Sequence, residues 1–271
     1  MNRLLAALAA ALILAGCATN PVTGRKQFIM VSESEAIAAS KEAYAAEMAP
    51  LAKQGKIDND PAMTKRVDDI TSRLIAQAIK YRPETAKWDW SVKVIDDPKT
   101  VNAFCMAGGK MAIYSGLITK LNASDDEIAN VMGHEIGHAL SNHTAEKMSV
   151  AMASQLGAAA IGIAAGSRYG GAAMSGAAMA ATLAVQLPNS RTAEAEADRI
   201  GIELAARAGY NPNAAVTLWQ KMAKAGGASS PEFLSTHPAP ETRIRDLQAL
   251  APKMMPYYQD KTPRPTYPLR S

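Results

Sequence analysis

The sequence is poor in the residues that staple a fold or usually announce chemistry. Its 271 residues include only 2 cysteines and 4 histidines, and aromatics amount to 5%. Two cysteines make one bridge at most, which excludes a disulfide-rich scaffold. No long run of Lys or Arg occurs and the net charge is only +4, so no nucleic-acid footprint is present. With 48% hydrophobic and 20% charged residues, wholesale disorder is excluded too. The length suffices for one or two domains with a real core. What is abundant is alanine, which favours helix over sheet.

The N-terminus has Arg3 and then an apolar run over residues 4–15, too short for a comfortable membrane span. That is the layout of a secretory signal. The run ends Leu14-Ala15-Gly16-Cys17, which resembles the bacterial lipobox. The resemblance implies cleavage before Cys17 and acyl chains on its new terminus, and two or more chains give stable anchoring. Ala18 follows, not the Asp associated with inner-membrane retention, which implies an outer-membrane anchor facing the periplasm. Residues 1–16 therefore read as a lipoprotein signal and 17–31 as a lipidated tether. The main domain follows over 32–255, and 256–271 reads as a Pro-rich, extended tail.

Local signals along the chain predict a mainly α fold with one small sheet, an α+β class. Ser32 with Glu35 and Ser124 with Glu127 form capping boxes, opening helices to about residues 48 and 140. Asp60-Pro61 caps another helix through 79, with apolar residues at helical spacing. Residues 90–95 alternate as a strand. Residues 102–106 and 110–114 flank Gly108-Gly109, a hairpin signal. Ser190 caps a helix ending before Gly209, Asn211-Pro212 starts the next, and a last helix spans about 240–250.

The chemistry concentrates in His134-Glu135-Ile136-Gly137-His138. Positions i and i+4 share one helix face, so both imidazoles can reach a single metal. Two histidines without a thiolate suit Zn²⁺, and an incomplete protein shell leaves room for water. Glu135 stands where it can take that water's proton. A third ligand is expected from the helix opened by Ser190, where Glu194 and Asp198 share a face. Glu194 on zinc with Asp198 bonded to a ligand histidine would supply ligand and support together. Spacing alone leaves Glu196 and Asp198 in contention as ligands. His143 lies five residues beyond His138, roughly 140° round a continuous helix, and reads as no ligand. Cys105 reads as a small buried hydrophobe.

Taken together, these motifs resemble the bacterial lipoprotein branch of the CAAX prenyl protease/HtpX zinc metallopeptidase family, of the LoiP and BepA type. The likeness runs through Asn20-Pro21-Val22-Thr23-Gly24, Asn102-Ala103-Phe104, the His134–His138 motif, the acidic run 194–198 and Thr236-His237-Pro238 followed by Arg243-Ile244. It implies a gluzincin-like domain with one zinc per chain, ligated by His134, His138 and Glu194. It also implies that His237 approaches the metal as a fourth, removable ligand. Without the resemblance, His237 could as well donate to the reaction's oxyanion or be an ordinary loop residue. Arg243 could pair with the acidic cluster or lie on the surface. Cys105 departs from the small Ala or Ser that the family carries there.

Lys110, Met111, Ala112, Ile113 and Tyr114 are expected to form an edge strand beside the zinc helix, to which an extended substrate adds by backbone hydrogen bonds. The nearly charge-free stretch 150–187 is expected to form a helical hairpin over the site or an interface. The expected function is hydrolysis of misfolded or misassembled periplasmic and outer-membrane proteins. The alternative is a chaperone-like assembly factor that keeps the zinc fold and acts by binding, with outer-membrane assembly machinery as partner in either case.

Overall fold

The computed structural model describes residues 17–164, 190–225, 232–237 and 241–269. The expected signal over 1–16 lies outside them, as does most of the expected hairpin over 150–187. The described elements are β1 (Cys17–Thr19), β2 (Lys26–Phe28), α1 (Glu33–Lys53), α2 (Pro61–Tyr81), a 3-10 turn (Pro83–Lys87), β3 (Ser91–Ile95), β4 (Ala103–Met106) and β5 (Lys110–Tyr114). They continue with α3 (Ser115–Lys120), α4 (Asp125–Leu140), α5 (His143–Ala164), α6 (Arg191–Arg207), α7 (Ala214–Ala225), α8 (Glu232–Thr236) and α9 (Glu241–Gln259). None of the described helices is long and apolar enough to cross a membrane.

The central helix is α4. Its start is set locally: Glu127 N donates to Ser124 Oγ at 3.2 Å, and Ser124 N donates back to Glu127 at 2.9 Å. Every residue from Glu127 to Leu140 is buried. One side of α4 packs on β4 and α2, the other on α6 and α7. Contact with α6 is close because both helices carry glycine there. A Cβ at Gly201 would stand 2.5 Å from His134 N, and one at Gly133 would stand 2.7 Å from Gly201 O. Side chains at that crossing would hold the two backbones apart.

The sheet corrects one expectation. Its order is β3-β5-β4, with β3 parallel and β4 antiparallel to β5. The residues Lys110, Met111, Ala112, Ile113 and Tyr114 therefore form the central strand, bonded on both sides. They cannot accept a further strand. The Gly108-Gly109 hairpin does form, but the parallel partner Ser91–Ile95 occupies the outer edge of β5. Edge positions fall to β3 and β4.

Two further boundaries move. Residues 17–31 are not a free tether: β1 and β2 pair antiparallel and dock against the end of α4. There Asn20 Nδ2 and Gln27 Nε2 donate to the Ser141 carbonyl at 3.1 and 2.9 Å. The last helix runs to Gln259, beyond the expected stop and through Pro252 and Pro256. Buried Leu247, Ala251 and Met254 continue its apolar stripe, while both prolines sit on the exposed side. The described residues beyond Gln259 form no regular element, and Tyr267 exchanges two hydrogen bonds with Ser72 of α2.

Candidate metal centre

Helix α4 presents His134 and His138 one turn apart, and their Nε2 atoms lie 3.0 Å from each other. The close crossing of α6 brings Glu194 against both. Its Oε1 is 3.2 Å from His138 Nε2, and its Oε2 is 3.5 Å from His134 Nε2. His237, just past α8, closes the group: its Nδ1 is 3.0 Å from Glu194 Oε1 and 3.2 Å from His134 Nε2. His237 is held there by stacking on Phe233, ring centres 4.3 Å apart at 17°. One ligand atom from each of His134, His138, Glu194 and His237 lies within 4.8 Å of every other, and all four residues are buried.

This donor set fits a zinc ion. Three imidazole nitrogens and one carboxylate oxygen are the hard and borderline ligands that Zn²⁺ takes in four-coordinate sites. Electrostatics point the same way. Burial and Arg243 both work against a charge on His134, yet Asp198 and Glu194 outweigh them and raise its pKa to about 9. Burial alone would raise Glu194, but its three histidine neighbours hold it far below the usual carboxylate range. Burial lowers His138, keeping that ring neutral and its nitrogen available.

Asp198, one turn beyond Glu194, lies behind His134. Its Oδ1 is 3.0 Å from His134 Nδ1, so Nδ1–H points to the carboxylate and the Nε2 lone pair to the centre. Arg243 is fully engaged in the same cluster. It donates to both Asp198 oxygens, at 2.5 and 2.7 Å, and its other arm touches Glu194. Its guanidinium also lies 3.9 Å from the centre of the Trp219 ring. The surface alternative for Arg243 is thereby excluded.

Glu135 is buried beside the centre, with its Oε1 3.5 Å from His237 Nε2 and bonded to no described donor. Burial raises its pKa above the ordinary value, as a general base working near neutrality needs. β4 packs on α4, the helix that carries Glu135, and burial, reinforced by the Glu135 charge, pushes the Cys105 thiol well up. Cys105 is buried and unreactive on these grounds. Lys147 of α5 also feels Glu135 and Glu194; burial nevertheless lowers its pKa to about 8.

Spacing left Glu194, Glu196 and Asp198 open as the third ligand. Only Glu194 lies in the cluster; Glu196 points the other way, to His143 Nε2 at 3.0 Å. His143 is not a ligand, although not for the expected reason. The helix breaks at Ser141 and Asn142, with Asn142 at φ 54°, and a new helix starts at His143. That break swings His143 back until its Nδ1 is 2.8 Å from His138 Nδ1. Sequence reasoning missed this contact because it assumed one continuous helix. A left-handed Asn after a helix is a legible stop signal.

The model of peptidase family M48 matches residues 61–251 of this chain. The mitochondrial metalloendopeptidase OMA1 of Saccharomyces cerevisiae is 30% identical over 250 residues, covering 88% of this chain and 70% of its own length. Its Arabidopsis thaliana counterpart is 39% identical over 158 residues, 58% of this chain and 31% of that protein. The β-barrel assembly-enhancing protease of Escherichia coli is 32% identical over 205 residues, 73% of this chain and 41% of that protein. The chain thus spans less than half of the last two relatives.

Proposed function

We propose that this chain, which belongs to peptidase family M48, is a zinc-dependent endopeptidase of the cell envelope acting on misfolded or misassembled periplasmic and outer-membrane proteins. The observation that carries the reading is the cluster of His134, His138, Glu194 and His237 within 4.8 Å, with Glu135 beside it. His134, His138 and Glu194 would hold the zinc. When bound, it supplies Lewis acidity for the scissile carbonyl and acidifies water. Glu135 takes the proton of the attacking water and passes it to the leaving amine. Asp198 and Arg243 fix the ring of His134 and the carboxylate of Glu194 through that cycle.

The edge position of β4 supports a substrate-binding role for Ala103–Met106, in place of the central strand. An extended polypeptide pairing there would run past Glu135, using backbone bonds that hardly depend on side chains. Such a mode suits unfolded substrates. His237 completes a four-residue donor set and so fills the place a substrate or water would need. We read this as a latent arrangement, in which His237 leaves when substrate enters. His237→Ala should then raise casein cleavage; unchanged or lower activity would argue for an oxyanion-binding role.

The envelope setting rests on the lipobox-like Leu14-Ala15-Gly16-Cys17 and on the likeness to the β-barrel assembly-enhancing protease of E. coli. In this reading Cys17 carries the lipid and the domain faces the periplasm at the outer membrane, near its assembly machinery. Cells lacking the protein and complemented with wild type or Glu135→Gln provide the test. Misassembled outer-membrane proteins should be degraded only with wild type. Equal rescue by both would favour the binding-only assembly factor.

A further inference from the structure

The geometry points to Glu196 and the N-terminal loop 20–25 as positioning elements that set the tautomer of His138 through His143. The inference rests on the metal centre proposed above and concerns what lies behind it. His143 is buried between two groups. Its Nε2 is 3.0 Å from Glu196 Oε2, and its Nδ1 is 2.8 Å from His138 Nδ1.

A carboxylate only accepts, so Glu196 draws the His143 proton to Nε2. His143 Nδ1 is then a bare lone pair and can only accept. The His138 Nδ1 that faces it must therefore carry a proton, and Nε2 is the atom His138 turns to Glu194 and the donor cluster. Two imidazoles in series thus convey one instruction from Glu196 to the metal site. The reverse tautomer of His143 would turn a bare Nε2 lone pair on the Glu196 carboxylate at 3.0 Å.

Glu196 is itself held by the segment expected to be a tether. Thr23 Oγ1 donates to its Oε1 at 2.5 Å, and Arg25 Nε donates to its Oε2 at 3.0 Å. Arg25 is fixed in turn by a two-pronged pairing with Glu146, at 2.8 and 2.6 Å. The loop is shaped for this contact. Asn20 is buried, accepts from the backbone N–H groups of Val22 and Thr23, and ties the loop to the end of α4 at Ser141. Gly24 takes the left-handed turn at φ 73°. This gives the motif Asn20-Pro21-Val22-Thr23-Gly24 a task beyond spacing the domain from a membrane: it steadies the carboxylate that orients a metal ligand.

The test uses the whole mature chain. The sequence has only 4 histidines, so ¹⁵N-labelled imidazole spectra of the metal-free protein at neutral pH can be assigned. The expected pattern is His143 protonated at Nε2 and His138 at Nδ1. His138 bare at Nδ1, or His143 bare at Nε2, would overturn the inference. Zinc affinity by chelator competition supplies the second readout. Glu196→Gln, and separately Thr23→Val with Arg25→Met, should weaken zinc binding roughly 10- to 100-fold while helical circular dichroism is kept. Lys26→Ala, an exposed substitution in the same hairpin, should leave affinity unchanged. Wild-type affinity in both network variants would overturn the inference. If the variants fail to fold, the wild-type spectra still decide. A wild-type protein that binds no zinc would instead refute the metal centre itself.

Discussion

At the scale of single residues, the centre works by surrounding donor atoms with partners that leave them one orientation. Asp198 does this for His134, and Arg243 holds Asp198 and Glu194 together. Removing Arg243 would bury two carboxylates without their cation. Arg243→Met should therefore cost about 3–5 kcal/mol of stability, read from urea denaturation of the metal-free protein. A loss under about 1 kcal/mol would mean that water reaches the pair and screens it. The histidines and Glu135 were legible in the sequence because their geometry is local to one helix. Glu194 was only one of three candidates, since spacing says which carboxylates share a face but not which face meets another helix. Arg243 was ambiguous for the same reason: its partners are 45 residues or more away in sequence.

At the scale of elements, two helices make the site. Helix α4 begins where its capping box predicts, and that box extends into tertiary structure through Glu127. Burial would raise the Glu127 carboxyl, but Lys221, the Ser124 N–H and Thr217 outweigh it and leave its pKa lowered from 4.5. A lowered folded-state value means stability that is complete above pH 4.5 and lost as pH falls through the folded value. Glu127→Gln should thus lower the urea midpoint at pH 7, and its gap from wild type should shrink as pH falls through the folded-state value. A gap that persists unchanged at acid pH would show that the Glu127 charge is not its source. The crossing of α4 and α6 carries the second expectation. Gly201→Ala puts a methyl 2.5 Å from a backbone nitrogen, and backbone cannot rotate aside. It should cost about 1–3 kcal/mol and weaken zinc binding by moving Glu194 away. Metal affinity unchanged in that variant would mean that the crossing does not govern ligand distance. Capping boxes, the glycine hairpin and helix periodicity could be read because they act over three or four residues. The sheet order could not: the parallel pairing of Ser91–Ile95 with Lys110–Tyr114 bypasses the intervening strand, and nothing in either segment states it.

At the scale of the whole molecule, the scarcity of histidine has a consequence. All 4 histidines belong to one connected array, three as candidate ligands and His143 behind them. The N-terminal hairpin, the two site helices and α9 all contribute side chains to that array: Arg25 through Glu196, His134 and His138 from α4, Glu194 and Asp198 from α6, and Arg243 from α9. Residues 17–31, read from the sequence as a lipidated tether, pack on the domain through Asn20, Arg25 and Gln27, and the Pro-rich end is helical as far as Gln259. The match to peptidase family M48 covers both site helices and most of α9. The most direct measurement is zinc content and casein hydrolysis on the same preparations of wild type and Glu135→Gln. Wild type should carry one zinc per chain and cleave casein, and the variant should keep its zinc while losing activity by roughly 100- to 10,000-fold. A zinc-loaded Glu135→Gln protein that cleaves casein as fast as wild type would contradict the account.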